Sequence, residues 1–125
     1  MKVEVSIGEL VDKVSILSIK LKKIKDARKL ANIQKEYNIL VKAMEGTGFS
    51  PGSDEFKRLE AINLKLWDIE DQIRTKEAKK EFDEAFIALA RSVYFTNDER
   101  AMVKREVNIK YGSGIVEEKE YVEYK

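Results

Sequence analysis

Residues 6–24 read SIGELVDKVSILSIKLKKI, and the way this stretch folds decides the fold of the whole chain. Ser6 can accept hydrogen bonds from backbone amides at a helix start. Glu9 stands three residues on, the spacing at which a capping box opens a helix. Leu10, Val14, Leu17, Leu21 and Ile24 then recur at alternating intervals of four and three. That rhythm lays one apolar seam along a helix and predicts a face turned to a core or to a partner.

Upstream, Val3 and Val5 alternate with Lys2 and Glu4, the period of a short half-buried strand. Downstream, Leu30, Ile33, Tyr37, Leu40 and Met44 form a second seam offset by one residue from the first, which predicts a break near Asp26 and a second helix capped by it. Gly46 ends that run. The stretch 46–53 holds three glycines and the only proline, reads as a loop, and delivers Ser53 or Asp54 as the next cap. Leu59, Ile62, Leu66, Ile69 and Ile73 follow at heptad spacing, and the natural antiparallel partner of that helix is the one before the loop.

A shorter helix is expected through Phe82, Phe86, Leu89 and Val93 after a bend near Lys79 and Lys80. Thr96-Asn97-Asp98-Glu99 repeats the capping-box pattern and predicts another helix, through Ala101, Val103 and Val107, which Tyr111-Gly112-Ser113-Gly114 ends. Ile115, Val116, Tyr121, Val122 and Tyr124 give the tail a mixed pattern that suits a strand. The expected fold is therefore mainly α: one helical domain over residues 1–125, built on a long antiparallel helical hairpin plus two shorter helices. Short N- and C-terminal β-strands would pair with each other or across a dimer, because a lone strand leaves backbone groups unpaired.

Composition narrows the chemistry. The chain of 125 residues is 43% hydrophobic and 38% charged, and 24 Lys and Arg against 23 Asp and Glu leave a net charge of +1. No global field draws it to nucleic acid. Cysteine and histidine are both absent, which removes disulfides, Ser-His and Cys-His nucleophiles, histidine bases and ordinary zinc sites. Glu4, Glu9 and Asp12 interrupt any signal-peptide core, and no apolar run is long enough to span a membrane. A cytoplasmic location is expected, with neither membrane nor nucleic acid as a partner.

The richest stretch for chemistry is Leu66–Arg74, LWDIEDQIR, which holds the only tryptophan. On a helix Trp67, Glu70, Arg74 and Glu77 form one stripe beside the Leu66, Ile69 and Ile73 seam, and Asp68 and Asp71 lie on the next face. Glu70 before Arg74 is the favourable ion-pair order, worth roughly 0.2–0.5 kcal/mol when solvated. Asp68 with Asp71 could share Mg²⁺. The acidic groups at 81–84 and 117–120 resemble the metal-binding spacings of all-helical nucleotide pyrophosphohydrolases, but the second lies on the tail and not on a facing helix. No cofactor is called for, with Mg²⁺ left open. Arg91, Tyr94, Asn97, Arg100 and Lys104 could close a polar pocket for a small anion.

The blocks SIGELVDKVSIL, KLANI, LWDIEDQIR, FDEAFIALARSVYFTNDERAMVKREVN and EEKEY, in this order, resemble a family of short uncharacterised bacterial and phage proteins. The resemblance implies a complete member and carries no activity. Its blocks are rich in polar residues, which points to a site or a specific polar core. Two readings stand. The first is a non-enzymatic interaction or assembly module, expected as a homodimer because its apolar seams are narrow. The second is a small all-α enzyme or binder for a phosphorylated or carboxylated ligand. Its candidate site is Trp67, Glu70, Asp71, Arg74, Arg91, Tyr94, Asn97, Arg100 and Lys104. The balance leans away from an enzyme.

Overall fold

The computed structural model describes residues 1–124 and contains four helices: α1 Ile7–Lys23, α2 Ala27–Glu45, α3 Asp54–Ala78 and α4 Glu84–Lys110. Their starts follow the local chemistry. Ser6, Asp26, Ser53 and Asp83 each accept from the backbone amide three residues on, satisfying donors that a helix start leaves unpaired. Glu9 does not complete the box at Ser6 in the expected way, since its carboxylate accepts from Lys104 Nζ at 2.6 Å. The chain breaks at Asp26 and again at Lys79–Asp83, where Lys80 adopts φ 58°.

The expected pairing of the helices on either side of the 46–53 loop is not what forms. α2 approaches α1 and neither of the other helices, while α1 touches all three and α3 packs on α4. Lys13–Glu36 at 3.5 Å marks α2 running back along α1. Arg58–Glu106 at 2.7 Å and Lys76–Asp83 at 2.9 Å mark α4 running back along α3. α1 is thus the central element, with α2 on one side and the α3–α4 hairpin on the other. The loop explains the separation, because Phe49 is buried in it and packs at a tilt of 57° against Tyr111, with ring centroids 4.7 Å apart. The loop plugs the core instead of folding α3 onto α2.

α4 is one helix where two were expected. Phe86, Leu89, Val93, Thr96, Arg100, Val103 and Val107 recur at threes and fours along its inner face. Thr96 is buried within that seam and does not cap a new helix. Continuous packing on α3 outweighs the local preference of threonine and asparagine to terminate.

The predicted terminal strands do not form among the described residues. The tail lies back along α4, held by side chains: Ser6 Oγ donates to Glu117 at 2.7 Å, Arg105 pairs with Glu118, and the Tyr124 hydroxyl donates to Asp98. Residues 2–5 stay exposed. Four or five residues, half of them charged, bury too little to order an isolated ladder.

The apolar core sits at one end. Val11, Val14, Met44, Phe49, Phe56, Leu59, Val103 and Val107 form it, with Ile7, Leu10, Tyr37, Leu40, Val41, Ile62 and Tyr111 around them, and it takes nothing from Asn63 through Met102. The far halves of α3 and α4 therefore form a two-helix arm beyond the core. Among the described residues no helix is long and apolar enough to cross a membrane.

Candidate functional site

Between core and arm lies a layer of buried polar groups. On α1, Gly8, Asp12, Ser15 and Ile19 share a face at intervals of four, three and four. Gly8 brings α1 close to α4: its N–H donates to Asn108 Oδ1 at 2.6 Å, and a Cβ there would lie 2.5 Å from the Lys104 carbonyl oxygen. One turn on, Asp12 is only 1% exposed. Arg100 donates to both its oxygens, through Nε to Oδ1 at 2.9 Å and through Nη2 to Oδ2. Asn63 Nδ2 donates to Asp12 Oδ1 and to Ser15 Oγ, each at 2.9 Å, and Ser15 Oγ donates to the Asp12 carbonyl at 2.6 Å.

Every buried side-chain nitrogen or oxygen among the described residues has a partner. That matters because an ion pair in low dielectric is tolerable only when fully hydrogen-bonded. The Asp12 hydrogen bond holds the Arg100 guanidinium above its ordinary value, against the opposing effect of burial. It is a fixed cation in a fixed orientation.

On the arm side of this layer opens a cleft of about 440 Å³. α1 supplies Ile16 and Ile19 to its walls, α3 supplies Asn63, Leu66, Trp67, Glu70, Asp71 and Arg74, and α4 supplies Asn97 and Arg100. The stripe of Trp67, Glu70 and Arg74 thus meets polar residues of a later helix. Arg74 Nε lies 3.4 Å from Glu70 Oε2 with both side chains well exposed, so the pair contributes little to stability. A second opening of about 430 Å³, lined by Glu9, Asp12, Lys13, Ile16, Leu17, Lys20, Glu36 and Arg100, lies on the other side of Arg100.

A sequence profile of a family of unknown function (DUF6165) matches residues 1–124. The chain belongs to DUF6165. The match spans all four helices and reaches through the tail, so the helices and the segment docked on α4 all fall within what defines DUF6165. No curated protein and no solved structure matches significantly.

Three of the residues expected at a common site lie elsewhere in this DUF6165 chain. Lys104 is taken by Glu9 at 2.6 Å and approached by Glu117 at 3.9 Å. Arg91 is exposed on the arm with its guanidinium 5.8 Å from the Phe95 ring. Tyr94 packs against Phe95 and Tyr124 and borders a cavity of about 620 Å³ under the tail. Lys76 holds Glu81 and Asp83, and among the described residues no three Asp or Glu side chains gather as ligands for an ion.

Asp12, Ser15 and Asn63 stand outside the site expected from the sequence. The signal was present as phase: Asn63 falls between Leu59 and Leu66 on the inner face of α3, and Asp12 and Ser15 flank Val11 and Val14 on α1. A polar residue in step with an apolar seam is the mark of a buried network.

Proposed function

We propose that the protein is a non-enzymatic helical assembly module that pairs with a second copy of itself through the outer face of α4 on the arm. The observation that supports this reading is the stretch Ala85–Asn97, AFIALARSVYFTN. In a chain whose residues are 38% charged, Arg91 is its only charged side chain. α3 covers one side of this stretch, leaving Phe86, Leu89 and Val93 half-buried, while Ala85, Ile87, Ala88, Ala90, Arg91 and Tyr94 face outward. Ile87 is 55% exposed. A two-helix layer needs a second layer to bury such a face, and small residues beside one large apolar group let another helix approach closely.

A second copy is the occupant that fits by charge. If two α4 helices cross antiparallel about a two-fold axis between Ile87 and Ala88, Arg91 of each copy meets Glu84 of the other, and Ile87 packs over Ala88. Neither Glu84 nor Arg91 has an ion-pair partner within the described chain.

Reciprocal charge reversal tests the register. Glu84→Arg and Arg91→Glu should each raise the dimer Kd by about tenfold or more, because like charges then face each other, and the double variant should recover most of that loss. Sedimentation velocity over a dilution series measures it. Independent effects with no recovery in the double variant would remove the proposed pairing.

A further inference from the structure

Arg100 faces both clefts, and only part of its hydrogen-bonding capacity is used. Nε and Nη2 are given to Asp12 along one edge of the guanidinium. The other edge, Nη1 with the second hydrogen of Nη2, has no hydrogen-bond partner among the described residues, and 28% of the side chain remains exposed. Such an edge is a two-pronged donor whose spacing matches a carboxylate or a phosphate. Because buried Asp12 already holds the group in place, an incoming anion loses little by ordering it.

The two openings differ in what surrounds that edge. On the α2 side, Glu9 and Glu36 flank it and Lys13 is already paired with Glu36. On the arm side, Trp67, Leu66 and Ile19 give flat apolar walls, Asn97 adds an amide, and Arg74 stands at the rim with a long, exposed contact to Glu70. A volume of about 440 Å³ admits a ligand of nucleoside monophosphate size or smaller. Asp71, also at the rim, repels an anion near itself and favours hydroxyl or amino donors there.

We propose that the cleft between α1, α3 and α4 binds a small ring-bearing oxyanion, a carboxylate or phosphate monoester received end-on by Arg100, with its ring against Trp67 and its donors toward Asp71. The site is separate from the outer face of α4 and does not depend on assembly.

Trp67 is the only tryptophan, so its fluorescence reports the cleft directly. The full chain is titrated with benzoate, phenyl phosphate and adenosine 5′-monophosphate, and with benzyl alcohol and adenosine as partners lacking the anion. At least one anion should give a saturable change with a Kd of about a millimolar or below, and the neutral partners should give none. Response to phenyl phosphate and the nucleotide, or to benzoate, tells phosphate from carboxylate. Asn97→Asp keeps the shape of the cleft and adds a negative charge, and should weaken binding by about tenfold or more with an unchanged thermal midpoint. Arg100→Lys keeps the charge and removes the fork, and should abolish binding. Since Arg100 also satisfies Asp12, circular dichroism checks that this variant folds, and Asn97→Asp decides if it does not. Absence of a saturable change with every anion, equal responses to the neutral partners, or unchanged affinity in Asn97→Asp would overturn the assignment.

Discussion

Gly8 shows how much one side chain can matter in a chain so dense in surface charge. Its Cβ would meet backbone, the Lys104 carbonyl oxygen at 2.5 Å, and not the movable end of a side chain. Gly8→Ala must therefore push α1 from α4 and lengthen the bond to Asn108, so urea unfolding should show a loss of about 1–3 kcal/mol with an unchanged m-value. An unaltered midpoint would mean that the two helices do not approach as closely as described. At this scale the sequence was legible at three helix starts and misleading at Thr96, where the same local pattern lies inside a continuous helix. Ser6, Asp26 and Ser53 cap their helices because a cap needs only a side-chain oxygen and an amide three residues away. Asp12 was not legible as a buried anion, because what makes it so is Arg100, 88 positions along the chain.

At the scale of elements, phase was the reliable signal and pairing was not. The break at Asp26 follows from two seams that fall out of step, and the bend expected near Lys79 and Lys80 lies where Lys80 takes φ 58°. The partner of α2 could not be read from seams alone, since any apolar face fits any other until the loops fix who is adjacent, and the burial of Phe49 in the 46–53 loop does that here. The capping pattern at Thr96 predicts two helices, but the inner seam runs unbroken through it and α4 stays whole. The candidate site was partly legible for the same reason: Trp67, Glu70, Asp71 and Arg74 share one helix and arrive together, whereas Arg91, Tyr94 and Lys104 diverge once α4 is continuous. The tail docks by side chains, and this gives it a pH signature. The bond to Asp98 pushes the Tyr124 hydroxyl up to about 12 from an ordinary 10.0. A raised value means that the contact's contribution is complete below pH 10 and is lost as pH rises through about 12. In an ultraviolet titration, one tyrosine should ionise late, and Asp98→Asn should return it to the ordinary range. Ordinary titration of all five tyrosines would contradict docking of the tail on α4.

Across the whole molecule, apolar burial is concentrated at the end where α1, the 46–53 loop and the outer ends of α2, α3 and α4 meet. A polar layer around Asp12 and Arg100 separates it from the arm. The layer fixes α1 against α3 and α4 and frames the cleft beside Trp67, while the arm beyond it carries an almost uncharged outer face on α4. Membership of DUF6165 places this whole arrangement within one family without naming an activity. The assembly reading rests on that exposed face, and light scattering on the intact chain tests it most directly. The wild-type protein should have twice the 14.5 kDa mass of one chain, and Ile87→Glu should have the mass of one chain with its helix content intact. A wild-type protein that remains at 14.5 kDa at concentrations of about 0.1 mM, well above the Kd of a specific interface, would contradict the account.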